Sequence, residues 1–322
     1  MIIFIILAFL AANAVLTILI SYFIYRHATL GNQKHGSVWE DDKLFYAESK
    51  KHAKYADDLR GRKAWLRRMC LSDSAEKLHI TSHDGLTLEA RFLKNPGQCG
   101  IVLMFHGYRS NPVQDFASVA REIYEAGFSL LFPDQRAHGA SEGRHISYGI
   151  FEGADAALWS RLLASMYPSS SQILYGVSMG AATVIAAQDN SLPENVAGIA
   201  ADCSYTSPSD ICKKVLRYDY HLPTFPIYNI AAFLTKKFAG FDFDCISCVD
   251  VLKRSSLPII IFHGKADSFV PYKMGEALRD AASDRAVFLS VENASHAESS
   301  LAEREKYMDN FLKFAKNIGF CH

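Results

Sequence analysis

Residues 172–188 read QILYGVSMGAATVIAAQ. A short apolar run, Ile173-Leu174-Tyr175, leads into Gly176-Val177-Ser178-Met179-Gly180 and then directly into an alanine-rich helical stretch, Ala181 to Ala187. The pattern G-x-S-x-G has a geometric meaning. A nucleophile at a sharp strand-to-helix turn sits in a strained backbone, and residues without a Cβ on both sides let strand and helix approach closely. The three fixed positions alone recur by chance in roughly one chain of this length in ten. The weight therefore rests on the flanking strand and helix, which make Ser178 a candidate nucleophile. The competing reading is a serine that caps a helix.

Outward from this element the chain alternates between strand and helix. Upstream, Lys77 to Thr81 and Thr87 to Phe92 form a hairpin pattern around His83-Asp84-Gly85. Ile101 to Phe105 and Phe128 to Phe132 are apolar strands, with helices expected over Asp115 to Ala126 and Phe151 to Met166. Downstream come strands at Val196 to Ala201, Pro258 to Phe262 and Ala286 to Val291, and helices at Tyr272 to Ala282 and Ser300 to Ala315. A Ser300/Glu303 capping box opens the last helix. Uninterrupted apolar strands alternating with helices predict an α/β fold with a mostly parallel eight-stranded sheet covered on both faces. Ligands bind such sheets at the carboxyl ends of the strands. His106, Asp134, Ser178, Asp202, Asp267 and His296 all fall at or just beyond such ends.

The composition excludes several classes. With 322 residues and 49% hydrophobic content the chain has ample material for a core, so disorder is not a serious reading. Lys plus Arg and Asp plus Glu both total 34, and no basic run with interleaved aromatics appears, so no nucleic-acid partner is expected. Seven cysteines, an odd number, suggest a reducing compartment more than a disulfide framework. The lone Cys245-Ile246-Ser247-Cys248 lacks a second pair or histidines, so no metal and no cofactor are expected.

Residues 1–25, MIIFIILAFLAANAVLTILISYFIY, carry no charged side chain before Arg26 and are long enough to span a bilayer. A cleaved signal peptide would have a basic start and a shorter apolar core, so a retained transmembrane anchor is the expectation. Arg26, Lys34 and Lys43 follow the span and nothing basic precedes it, which places the remainder in the cytoplasm by the positive-inside rule. Asn13, Thr17 and Ser21 share a helical face and could pair helices, although such residues are also simply tolerated in a span. Residues 26–74 read as a juxtamembrane helical linker, and residues 75–322 as the catalytic domain.

Acyl transfer by a serine needs a base, an acid that fixes the base's tautomer, and donors for the developing oxyanion. The chain offers Ser178, then an acid within His263 to Pro271, then His296 in Asn293-Ala294-Ser295-His296. The order Ser, Asp, His is that of α/β-hydrolases. Phe105-His106-Gly107-Tyr108, the stretch Asp134 to Gly143, the elbow, Gly264 to Pro271 and His296 together identify the region from about Lys77 onward as a member of the α/β-hydrolase superfamily. It resembles membrane-anchored hydrolase-domain proteins and their esterase and serine aminopeptidase-like relatives. The resemblance implies Ser178 as nucleophile, His296 as base, Asp267 as orienting acid, and the backbone N–H groups of Tyr108 and Met179 as the oxyanion hole. Asp202 is the alternative acid. His106, His138 and His263 read as buttresses of tight turns, and Arg136 as an ion-pair partner of Asp134.

Between Cys203 and Ser256 the alternation stops for about fifty residues, far longer than an ordinary loop. This 203–256 stretch reads as a helical cap. Its aromatic centre offers Tyr218, Phe225 and Tyr228 as substrate-binding residues for an apolar acyl group, or as rings that pack the cap on the sheet. The expected substrate is a small-molecule carboxylic ester. A peptide or other amide, a thioester, and a catalytically silent binding protein on the same fold are the alternatives.

Overall fold

The structure, a computed structural model, describes residues 1–31, 36–40, 54–97 and 99–320. Lys34 and Lys43, used in the sequence reading, lie outside the described residues.

Eight strands form one sheet: β1 (Ala75–Thr81), β2 (Thr87–Leu93), β3 (Gly100–Phe105), β4 (Phe128–Pro133), β5 (Gln172–Val177), β6 (Val196–Asp202), β7 (Ile259–Gly264) and β8 (Ala286–Val291). Their spatial order is β1-β2-β4-β3-β5-β6-β7-β8. β1 and β2 form the expected hairpin and β2 meets β4 antiparallel, while β4, β3, β5, β6, β7 and β8 run parallel. Strands β3 and β5 are buried along their whole length, which is why they carry unbroken apolar runs.

Period-two alternation sorts the strand residues between two cores. Val102, Met104, Ile173 and Tyr175 face one side, against α2 (Ala56–Cys70), α3 (Pro112–Phe116), α4 (Ala120–Glu125) and α12 (Arg304–Asn317). Ile101, Leu103, Leu174 and Ile199 face the other, against α5 (Ile150–Met166), α6 (Met179–Ala186), α9 (Cys248–Arg254) and α10 (Tyr272–Ala282). This is the α/β-hydrolase fold.

Several expected elements are shifted. The helix expected over Asp115 to Ala126 is two helices, because Asn111 caps α3 through its side chain to the Gln114 N–H, with Pro112 at the first position, and the chain breaks before α4. The C-terminal helix is likewise divided. Ser299–Ala302 forms a short α11, and α12 begins at Arg304. Ser300 hydrogen-bonds Ser118 across 2.8 Å, so its hydroxyl serves tertiary packing and no capping box forms with Glu303.

The region read as a linker is partly docked on the domain. Val38 and Trp39 are buried, with the Trp39 ring 5.6 Å from that of Phe132 on β4. Helix α2 buries Leu59, Leu66 and Cys70, and Arg62 pairs with Glu122 of α4 at 2.6 Å. The cap is smaller than 203–256: α9 packs against α6 and α10 in the body. What remains above the site is α7 (Pro208–Lys214), a π-helical turn (Val215–Asp219), α8 (Ile227–Phe238) and the loop through Phe241 and Phe243.

Helix α1 (Ile2–Thr29) is the one helix among the described residues long and apolar enough to cross a membrane. Asn13, Thr17 and Ser21 bond the carbonyls four residues back, each at 2.8 Å, so their polar groups are satisfied within the helix. Its final turns pack on α8, and Ile20 and Ile24 join the cap's apolar cluster. Beyond it, Gly31 donates to the Arg144 carbonyl and Ile146 to the Thr29 carbonyl, stitching the helix end to the domain.

Candidate active site

Ser178 stands at the carboxyl end of β5 with φ 56° and ψ −116°. Side-chain-bearing residues rarely adopt this region. Two glycines make the turn possible: a Cβ at Gly176 would collide with the Gly180 carbonyl, and one at Gly180 with the Phe105 carbonyl at the end of β3. The Ser178 N–H donates to the Asp202 carbonyl at 2.8 Å, tying the elbow to the neighbouring strand β6.

His296, in the loop after β8, places Nε2 2.8 Å from Ser178 Oγ and Nδ1 2.7 Å from Asp267 Oδ2. Asp267 lies after β7, and its Oδ1 accepts the backbone N–H groups of Phe269 and Val270 at 2.9 and 2.8 Å. Those two bonds lock the carboxylate, leaving Oδ2 aimed at the imidazole. With the Nδ1 proton on the Asp267 side, Nε2 offers its lone pair to the serine hydroxyl. All three side chains are buried.

Asp202 is directed elsewhere. It accepts from Ser299 Oγ at 3.1 Å, and burial raises its pKa to about 7. The structure thus brings Asp267, and not Asp202, to His296.

The remaining histidines support turns. His106, buried and pushed down to about 3 by desolvation and by His138, accepts the Gln135 N–H at Nε2, 3.1 Å, and approaches the Gly107 carbonyl at 2.9 Å. His138 Nε2 accepts the Arg109 N–H at 3.0 Å. His263 Nε2 lies 2.9 Å from the Val270 carbonyl, inside the loop that carries Asp267. Arg136 corrects an expectation. It pairs with Asp155 at 2.6 Å and Asp84 at 3.0 Å, not with Asp134. Asp134 accepts the Ala140 N–H, and burial raises its pKa to about 7.

Tyr108 and Met179 border the same cavity as Ser178. The loop bearing Tyr108 is fixed by Asp115, whose two oxygens accept from the Gly107 N–H at 2.6 Å and Ser110 Oγ at 2.7 Å. The Tyr108 hydroxyl reaches outward and donates to the carbonyls of His27 and Ala28, 3.0 Å each, at the end of α1. Tyr148 Oη also donates to the Ala28 carbonyl at 3.0 Å, and the Arg109 guanidinium to those of His27 and Leu30 at 2.8 and 3.1 Å. These bonds satisfy carbonyls that a helix end leaves without internal partners.

The cavity above Ser178 measures about 230 Å³. Its floor is Ser178, Met179, Tyr108, Tyr148, Tyr205 and Phe269; the cap contributes Ile211, Cys212, Val215, Leu216, Tyr220, Tyr228, Ala231 and Phe243. The remaining wall is Ile24, Tyr25, His27 and Ala28 of α1. Of the three aromatic residues expected here only Tyr228 takes part. Tyr218 and Phe225 are 62% and 77% exposed and turn outward; the π-helical turn gives Val215 and Leu216 to the cavity, and α8 gives Tyr228 and Ala231. Sequence reasoning missed Tyr148, Tyr205 and the α1 wall, none of which carries a local motif.

Cys203, at the end of β6, lies close to the donor atoms of Asp267 and His296, all within 4.8 Å of one another. Both His296 nitrogens are already engaged, so this cluster is a product of converging strand ends and not a tetrahedral donor set. Cys245 is exposed, Cys248 buried, and both are free. Cys99 is disulfide-bonded, which corrects the reading of a wholly reduced chain at that position.

Residues 97–217 match the family model described as serine aminopeptidase, S33. The uncharacterized protein YqkD of Bacillus subtilis is 27% identical over 67% of this chain and 71% of its own length. The α/β hydrolase domain-containing protein WAV2 of Arabidopsis thaliana is 25% identical over 74% and 78%. Among solved structures, the Pyrococcus furiosus esterase Pf2001 superposes with a TM-score of 0.62 at 20% identity, covering 76% of this chain and 91% of that one. The esterase EaEST of Exiguobacterium antarcticum gives 0.57 at 17%, covering 75% and 100%. Its sheet order, its elbow and these likenesses give the chain the α/β-hydrolase fold, with residues 97–217 similar to the serine aminopeptidase, S33, family.

Proposed function

We propose that the protein is a serine hydrolase that cleaves carboxylic esters through an acyl-enzyme. The observation that carries this reading is the hydrogen-bonded succession Ser178–His296–Asp267 opening onto an apolar cavity. Ser178 Oγ attacks the ester carbonyl while His296 Nε2 takes its proton, and Asp267 stabilises the imidazolium that forms. The oxyanion is held by the Tyr108 and Met179 N–H groups. Collapse breaks the bond to the alkoxy group, which leaves with the proton from His296; water then repeats the sequence on the acyl-serine and restores the enzyme.

An ester is favoured over an aminopeptidase substrate by the cavity's chemistry. A free α-ammonium group needs an anionic partner when desolvated, and among the described residues none that lines the cavity is Asp or Glu. Apolar walls instead suit an acyl chain. In this reading α1 anchors the enzyme in a membrane with the hydrolase domain on the cytoplasmic side, as the charges after the span suggest. Protease added to intact cells should spare the domain; its removal would reverse the orientation.

The deciding experiment labels the full chain with a fluorophosphonate, then compares esters, thioesters and amides of one acyl group. Labelling lost in Ser178→Ala, with turnover of esters above amides, is the expected result. An unlabelled wild-type protein would make it a silent binder, and faster amide turnover would make it a peptidase or amidase.

A further inference from the structure

Besides Met1 and α1, nine large hydrophobic side chains are exposed among the described residues, and five of them, all aromatic, lie from Tyr218 to Phe238 of the cap. On α8, Phe233 and Phe238 are 62% and 56% exposed, with Ile230 and Leu234 half-buried between them. These four form a stripe at helical spacing that stays partly or largely exposed. It is continuous with α1, since the Phe238 and Tyr25 ring centroids are 6.2 Å apart and the adjoining Tyr22 and Phe23 of α1 are exposed as well.

The exposed side of α1 says what covers this stripe. Ile18, Leu19, Tyr22 and Phe23 are exposed and apolar at the level where Ile20 and Ile24 join the cap's cluster, and the first charged side chain is Arg26. In a crossing helix the apolar stretch lies in the hydrocarbon. Such a helix therefore sinks residues that lie against the cap. The neighbouring face of α8 goes with them to the depth of the lipid headgroups and upper acyl chains. The stripe's composition suits that depth, with phenylalanine beside Lys236 and Lys237 in the last turn, stems apolar and ammonium groups able to reach water.

We propose that the outer face of α8 is a membrane-docking surface, seated in the interface of the same bilayer that α1 crosses. The second contact fixes the cap, and with it the cavity mouth, against the lipid. It relies on α1 spanning a bilayer and not on the reaction catalysed at Ser178.

The test uses the full chain in phosphatidylcholine vesicles with bromines placed shallow or deep on the acyl chains, and single tryptophans introduced as reporters. Phe233→Trp and Phe238→Trp are the probes; Val287→Trp, on the edge strand β8, is the water-facing control, and Phe4→Trp the membrane control. The wild type has three tryptophans, Trp39 and Trp159 buried and Trp65 half-buried on α2, and their emission, measured on the unsubstituted chain in the same vesicles, is subtracted as background. The expected result is a blue shift and a loss of added emission at both probes, larger with shallow bromines. Probes that behave like Val287→Trp while Phe4→Trp is quenched would overturn the proposal. So would an unquenched Phe4→Trp, which removes the span. A blue shift that follows protein concentration but ignores bromine would assign the face to a second copy and overturn it too.

Discussion

The two sides of Ser178 are held by different physics. On the sheet side the groups are positioned by backbone and by hydrogen bonds to it: the elbow by two glycine clearances and a bond to the Asp202 carbonyl, Asp267 by two N–H groups, the Tyr108 loop by the Gly107 N–H on the Asp115 carboxylate. On the cap side the cavity is walled by side chains such as Leu216, Tyr228 and Ala231, with apolar contact as their common currency. Backbone-held geometry tolerates little change and fixes the chemistry. A wall of apolar side chains can be altered one methylene at a time, and in the proposed reaction that is where selectivity would be set.

The largest expected effect tests the sheet side. Ser178→Ala and His296→Ala should each reduce kcat for ester hydrolysis by about 10⁴-fold or more, with circular dichroism unchanged. Retention of a tenth of the activity in either variant would break the contrast at its root.

Next, Asp267→Asn should cost about 10³- to 10⁴-fold through loss of the correct His296 tautomer, whereas Asp202→Asn should stay within about tenfold of wild type. The opposite ranking would transfer the orienting role to Asp202.

Asp202 should reveal itself in stability instead. Buried with a pKa near 7, it keeps a proton in the fold over a range where the unfolded chain has lost it. Its contribution therefore falls as pH rises from about 4 to about 7 and is level above that. Asp134 acts in the same direction and His106, lowered to about 3, in the opposite one. The difference between wild type and Asp202→Asn isolates the one group. Denaturant melts in detergent should show the variant gaining on the wild type by on the order of 2–4 kcal/mol between those pH values. A pH-independent difference would mean the carboxyl is solvated.

The smallest step per change tests the cap side. Each added methylene of the acyl chain should improve kcat/KM by about fourfold, or roughly 0.8 kcal/mol, until the cavity ends. Ala231→Phe, which fills part of it, should end that rise at a shorter chain. A flat profile from acetate to octanoate would show that the apolar walls hold no acyl group.

The same contrast explains what could be read from the sequence. The elbow, the strand ends and the Asp267 and His296 loops were legible because strained or crowded backbone demands particular residues at fixed spacing, and those residues leave motifs. Tyr218 and Phe225 were misplaced because an aromatic ring in a cap reads the same whether it faces the site or the exterior. Arg136 was assigned to its neighbour Asp134 although its partners Asp84 and Asp155 are distant in sequence. The Ser300 capping box was sound as a local pattern, and a tertiary bond to Ser118 overrode it. Least legible was the α1 wall, since nothing in an apolar span marks one stripe as the lining of a cavity some 150 residues away from its nucleophile.

The bonds from Tyr108, Tyr148 and Arg109 to the last carbonyls of α1 have a mechanical side. A helix that crosses lipid changes its tilt with the thickness of the bilayer around it. Here the lower end of that lever is not on a slack tether; it is clamped to Tyr108, whose own backbone N–H faces the nucleophile in the proposed reaction. With α1 in a bilayer, as proposed, thickness would gain a short, stiff route to the donor geometry at Ser178, and the surrounding lipid would become a tuning element of the proposed enzyme as well as its support.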